Sequence, residues 1–140
     1  MSAADASTTA FVVATAAHAG FQLTVTALVY PTLVGVGPER WAAAHVRHSR
    51  GIVPLVVLVY GALVVTSAPF VSHHHGVPAW LGVIGAWGAM LVTAVAAAPT
   101  HGRLVSPEPP LLRRLLVVDR LRSGLACLAL LGAVLTTLGR

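Results

Sequence analysis

Residues 51–66 read GIVPLVVLVYGALVVT, an apolar run without a charged side chain. A bilayer's hydrocarbon core requires about 20 mostly apolar residues per helix. This run and its flanks, from Pro38 to Ser67, supply them. Comparable runs begin near Thr9, Val77 and Leu111, so apolar runs occupy most of the 140 residues. Hydrophobic residues make up 56% of the chain and charged residues only 9%, with a mean hydropathy of +0.83. A soluble domain of this size could not hide so much apolar surface from water. The expected fold is therefore an all-α membrane protein with four transmembrane helices in an up-down bundle. One domain spans residues 1–140, with helices at about 9–34, 38–67, 79–98 and 110–138.

Turn chemistry sets these limits. Gly35–Pro38 separates helices 1 and 2, and Pro38 and Glu39 suit the first turn of a helix. Pro54 is expected to kink helix 2. Ser67–Pro78, with Pro69, Gly76 and Pro78, reads as a turn, and Pro99–Pro110 reads as the longest loop. The first run lacks the basic leader of a signal peptide and is read as a retained helix. In helix 3, Gly82, Gly85 and Gly88 recur every three residues. Such small residues let helices approach closely in lipid, and the stripe serves either the bundle seam or a homodimer contact.

The net charge of +5 comes from nine arginines and no lysine. These lie at helix ends and short loops, which points to a lipid bilayer with anionic headgroups and not to nucleic acid. Arg40, Arg47 and Arg50 fall in loop one and the start of helix 2. Arg103, Arg113, Arg114, Arg120 and Arg122 fall in loop three and the start of helix 4. The opposite side carries only Asp5 and Arg140. By the positive-inside rule, loops one and three face the cytoplasm and both termini face outside. An integral plasma-membrane location, multi-pass, is the expectation. Trp80 is expected to anchor the outer interface. The lone Cys127 reads as a small packing residue.

Polar residues that could carry chemistry gather at the arginine-rich end. Trp41, His45 and His48 lie at i, i+4 and i+7 on one side of helix 2. His101 follows at the exit of helix 3. Asp119 and Arg122 are one turn apart inside helix 4, with Ser123 adjacent, and charged residues at such depth usually face the interior and pair. His45, His48, His101, Asp119 and Arg122 are therefore candidate catalytic residues of one pocket. Trp41, Tyr30, Gln22, Tyr60 and Ser123 are candidate substrate contacts. His45, His48 and His101 could hold a single zinc, copper or iron ion, with Asp119 as fourth ligand or outer partner. Without a metal, one histidine could act as a base near neutral pH. The alternative is that the histidines only bond to headgroups, carbonyls or water, and that Asp119 and Arg122 only neutralise each other.

A second polar stripe, His18, Gln22 and Thr26, runs along helix 1. His18 lies about 18 Å from Tyr30 along the axis at 1.5 Å per residue, which places it outside the inner cluster. His73, His74 and His75 point in different directions on most backbones and make a poor metal site.

The order Tyr30-Pro31, Trp41, His45, His48-Ser49-Arg50 and Pro54-Leu55 resembles a group of small bacterial four-helix membrane proteins. Pro99, His101, Leu104 and Asp119, Arg122-Ser123 extend the pattern over nearly the whole chain. This group is similar to the anthrone-oxygenase-like family, whose fungal members oxidise anthrones to anthraquinones without a known cofactor. The resemblance implies a four-helix fold and an oxygenase-like activity on an apolar, aromatic or polyketide-type compound. Two departures fall near the pocket. Val59 and Tyr60 stand where the group has an acidic residue, and Asp119-Arg120 replaces Asn-Trp.

Two function classes follow. One is a small membrane oxidoreductase in which His45 or His48 removes a proton and Arg122, held by Asp119, stabilises the anion. The other is a non-enzymatic protein that binds or passes a small molecule or ion, or docks a larger partner as an accessory subunit. Haem and nicotinamide lack support, because the chain has no Gly-rich phosphate loop and no facing histidine pair at mid-membrane depth.

Overall fold

The computed structural model describes residues 2–139, so Met1 and Arg140, the latter counted above on the outer side, lie outside the described residues. Four helices long and apolar enough to cross a bilayer make up the chain: α1 (Ala3–Val34), α2 (Pro38–His73), α3 (Val77–Gly102) and α4 (Pro109–Leu138). There is no strand among the described residues. The protein is a multi-pass membrane protein of all-α class.

Three helix limits differ from the sequence reading, each for a local reason. α1 starts at Ala3 and not near Thr9, because Ser2 and Asp5 form a reciprocal capping box. α2 continues past Ser67 to His73, with Pro54 and Pro69 both inside it. Around Pro69 the Ser67 and Ser72 hydroxyls donate to the carbonyls of Leu63 and Pro69. α3 runs through Pro99 to Gly102, so His101 is a helical residue and not part of a loop.

The passage of α1 and α3 through a proline depends on one widened turn in each. Proline has no N–H to donate and crowds the carbonyl four residues back. Just before Pro31, Tyr30 N–H bonds to Val25 O, and the turn Val25–Val29 is π-helical. Just before Pro99, Ala98 N–H bonds to Thr93 O, and Thr93–Ala97 is π-helical. Such single π turns recur at functional sites. Here they carry Thr26 and Thr93.

α3 and α4 make the closest approach. A Cβ on Gly85 would lie 2.7 Å from Ala129 N and 2.8 Å from Leu125 O. A Cβ on Gly82 would meet Ala133 N at 3.2 Å, and one on Gly132 would collide with the backbone of Gly82. Gly82 and Gly85 are thus occupied inside the bundle, by α4. The outward faces remain apolar. On α2, Val53, Val57, Leu58 and Val65 are exposed and suited to lipid contact. Cys127 is also exposed and does not pack in the interior as expected, because Ala126 and Ala129 take the inward positions of that turn. Away from the arginine-rich end, Phe11 stacks on Phe70 at 4.3 Å. His74 bonds Thr8 at 2.8 Å, while His73 and His75 are exposed.

Candidate functional site

The helix-2 spacing works as read. Trp41 is buried, stacks on His45 with ring centroids 5.5 Å apart, and donates from Nε1 to Leu104 O at 3.1 Å. Trp41 thus covers His45. His101 comes across from α3, its ring 4.4 Å from His45 and 5.3 Å from His48. Its Nε2 bonds Ser49 Oγ at 3.1 Å. His45, His48 and His101 therefore form one triangle.

Asp119 and Arg122 do not join that triangle. Both are buried in α4 and contact each other at 3.5 Å. Asp119 is held much more tightly by α1: Gln22 Nε2 donates to Oδ1 at 2.7 Å and Thr26 Oγ1 to Oδ2 at 2.5 Å. Ser123 Oγ lies 2.5 Å from the same Thr26 hydroxyl, to which it can donate. Arg122 donates to Tyr60 Oη at 3.3 Å, Tyr60 bonds Thr93 at 2.6 Å, and Thr93 donates to Ala89 O. One directed chain of hydrogen bonds thus ties α4 to α2 and α3, while Asp119 ties α4 to α1.

The expected single pocket is therefore two adjoining clusters, a histidine triangle and a deeper ionic network. Tyr30 joins them, its ring 6.0 Å from His48 while its hydroxyl faces the Arg122 guanidinium. His18, placed outside the inner cluster by axial distance, packs edge-on against Tyr60 at 5.5 Å. It belongs to the deeper network. Several polar atoms there lack a protein partner: both His18 ring nitrogens, Gln22 Oε1 and Arg122 Nε.

The residues do not fit the metal reading. Among the described residues, no three His, Cys, Asp or Glu side chains are arranged to hold one ion. Asp119, the suggested fourth ligand, is committed to Gln22, Thr26 and Arg122. Metal analysis of untagged protein should therefore give well under one ion per chain, unchanged in a His45/His48/His101 triple alanine variant. Stoichiometric metal lost in that variant would restore the ligand reading.

The triangle opens sideways. A cleft of about 410 Å³ between α1 and α2 is lined by Leu28, Val29, Leu33, Ala44, Arg47 and His48, among others. A second, of about 310 Å³, shares Val29, Arg47 and His48 and continues past Val25, Ile52 and Leu55. His48 is the histidine exposed to both.

Comparison with protein-family models, curated proteins and solved structures finds no match to this chain.

Sequence reading missed Thr93, whose signal was weak: one hydroxyl in an Ala- and Val-rich turn. Its position six residues before Pro99 could have found it, since Thr26 stands five residues ahead of Pro31.

Proposed function

We propose that this protein is a small membrane oxidoreductase, oxygenase-like, acting on an apolar compound that partitions into the bilayer. The observation that carries this reading is the lateral cleft between α1 and α2 with His48 in its wall. A mostly apolar cleft with few polar groups is the usual form of a small-molecule site, and this one opens where such a compound is concentrated. Loops one and three, with their arginines, face the cytoplasm in this reading, and both termini face outside.

In the proposed reaction His48 removes a proton from an acidic C–H of the substrate. His101 and His45, in ring contact, disperse the positive charge. Dioxygen takes electrons from the carbanion. Overall a CH₂ group and O₂ become a C=O group and water, so no outside reductant is consumed. Arg122 lines neither cleft. It is a positioning residue, acting through Tyr30 on the field at His48. The resemblance to anthrone-oxygenase-like proteins supports the same reaction class.

The test is oxygen uptake and quinone absorbance by proteoliposomes given an anthrone. His48→Gln is expected to abolish turnover, a loss of at least about 10²-fold as for general bases elsewhere. Arg122→Gln should lower kcat with little change in KM, and Arg122→Lys should restore part of it. Full activity in both the His48 and Arg122 variants would overturn the site assignment. A binding or transport role is favoured instead by the unpartnered polar atoms of His18, Gln22 and Arg122 deep in the bundle. Flux of solute across liposomes that requires His18, with no oxygen uptake, would select it.

A further inference from the structure

The two clefts beside His48 adjoin along the α1–α2 face, since Val29, Arg47 and His48 line both. Their walls are otherwise mostly aliphatic, with Phe21 at one end. Neither is lined by a carboxylate, and Arg47 is the only charged side chain in either apart from the titratable His48. Arg47 has no ion-pair partner among the described residues, where the only salt bridge joins Arg122 and Asp119. The Thr24 and Thr32 hydroxyls donate to carbonyls of their own helix, at Gly20 and Leu28, and bring no spare donor. The groove therefore presents one uncommitted cation, one imidazole and a long apolar wall.

A guanidinium at the membrane interface attracts negative charge, and its fork suits a planar acidic group. We propose that this groove binds an anionic amphiphile. Its ionised acidic head lies against Arg47 and His48, and its slender apolar body lies along Val25, Val29, Ile52 and Leu55. This goes beyond the reaction proposed above and rests on that reading only for the place of the site. The phosphate of an acidic lipid offers the same charge. The clefts have the size of sites for compact small ligands, so the occupant is assigned as a single-bodied free acid.

The full chain in phosphatidylcholine nanodiscs is titrated with parinaric acid, and energy transfer from the tryptophans is read. Saturation at one acid per chain is expected, with the methyl ester about tenfold weaker, the scale of one charge-assisted contact. Arg47→Gln should reduce the acid to the ester's affinity. Arg50→Gln, whose side chain lines neither cleft, should leave it unchanged. Val29→Trp, filling both clefts, should remove acid and ester alike. Equal binding of acid and ester to the wild type would overturn the proposal. So would equal losses in the Arg47 and Arg50 variants, which would indicate surface charge only. Competition by phosphatidylglycerol as potent as by free acid would assign the groove to lipid headgroups and also overturn it. This titration reads binding and not turnover, so acid-selective binding here together with no oxygen uptake in the proteoliposome assay would sink the enzymatic reading and leave this site standing.

Discussion

Asp119→Leu is expected to destabilise the bundle by about 3–5 kcal/mol, the cost of stripping a buried charge of its partner. The variant leaves Arg122, 4% exposed, with only neutral tyrosine hydroxyls beside it, Tyr60 Oη at 3.3 Å and that of Tyr30. It also deprives Gln22 and Thr26 of their shared acceptor. Arg122→Met should cost less, about 1.5–3 kcal/mol, the range for a hydrogen bond to a charged group. In that variant Asp119 keeps its two short bonds from α1, whereas its contact with Arg122 was 3.5 Å. The double variant should recover much of the loss, since an apolar pair no longer leaves a lone charge in hydrocarbon. Equilibrium unfolding of the detergent-solubilised protein in dodecyl sulfate, followed by circular dichroism, measures all three. If Asp119→Leu proved no worse than Arg122→Met, the asymmetry of this network would be refuted.

The second large effect is at the α3–α4 seam. Gly85→Ala places a methyl group 2.7–2.8 Å from backbone atoms of α4. Backbone cannot swing aside as a side-chain tip can, so the helices must separate, at a cost of about 2 kcal/mol for such overpacking. Gly88→Ala meets only the Leu125 side chain, at 3.4 Å and beyond. There the gain in helix propensity of about 1 kcal/mol offsets the contact, and the variant should be neutral or slightly more stable. The same unfolding assay separates the two. Were the stripe a subunit contact, Gly85→Ala would change the association state and leave monomer stability alone.

Much of the site was legible because helical spacing is a local property. Trp41, His45 and His48 share a face by arithmetic, and His101 had to return to the same end in an up-down bundle. The helix limits were less legible. A proline reads as a stop, yet Pro99 is carried inside α3 by the π turn ahead of it. The pairing of Asp119 was illegible for a different reason. Its nearest charge in sequence is Arg120, which is exposed, and Arg122 is one turn on, but the short bonds come from Gln22 and Thr26. Nothing in helix 4 announces which polar residue of helix 1 stands opposite.

Composition and hydrophobic run length by themselves determined that this chain crosses a membrane four times as helices. In hydrocarbon every backbone N–H and C=O must be satisfied internally, and a helix does so with local bonds alone. Tertiary structure alone decided that α4 fills the glycine stripe, and that the polar residues divide into a histidine triangle and a deeper ionic network. It also decided that His48 faces an open cleft while Arg122 does not. Those outcomes depend on the rotation and axial register of one helix against another, which side-chain packing between helices sets.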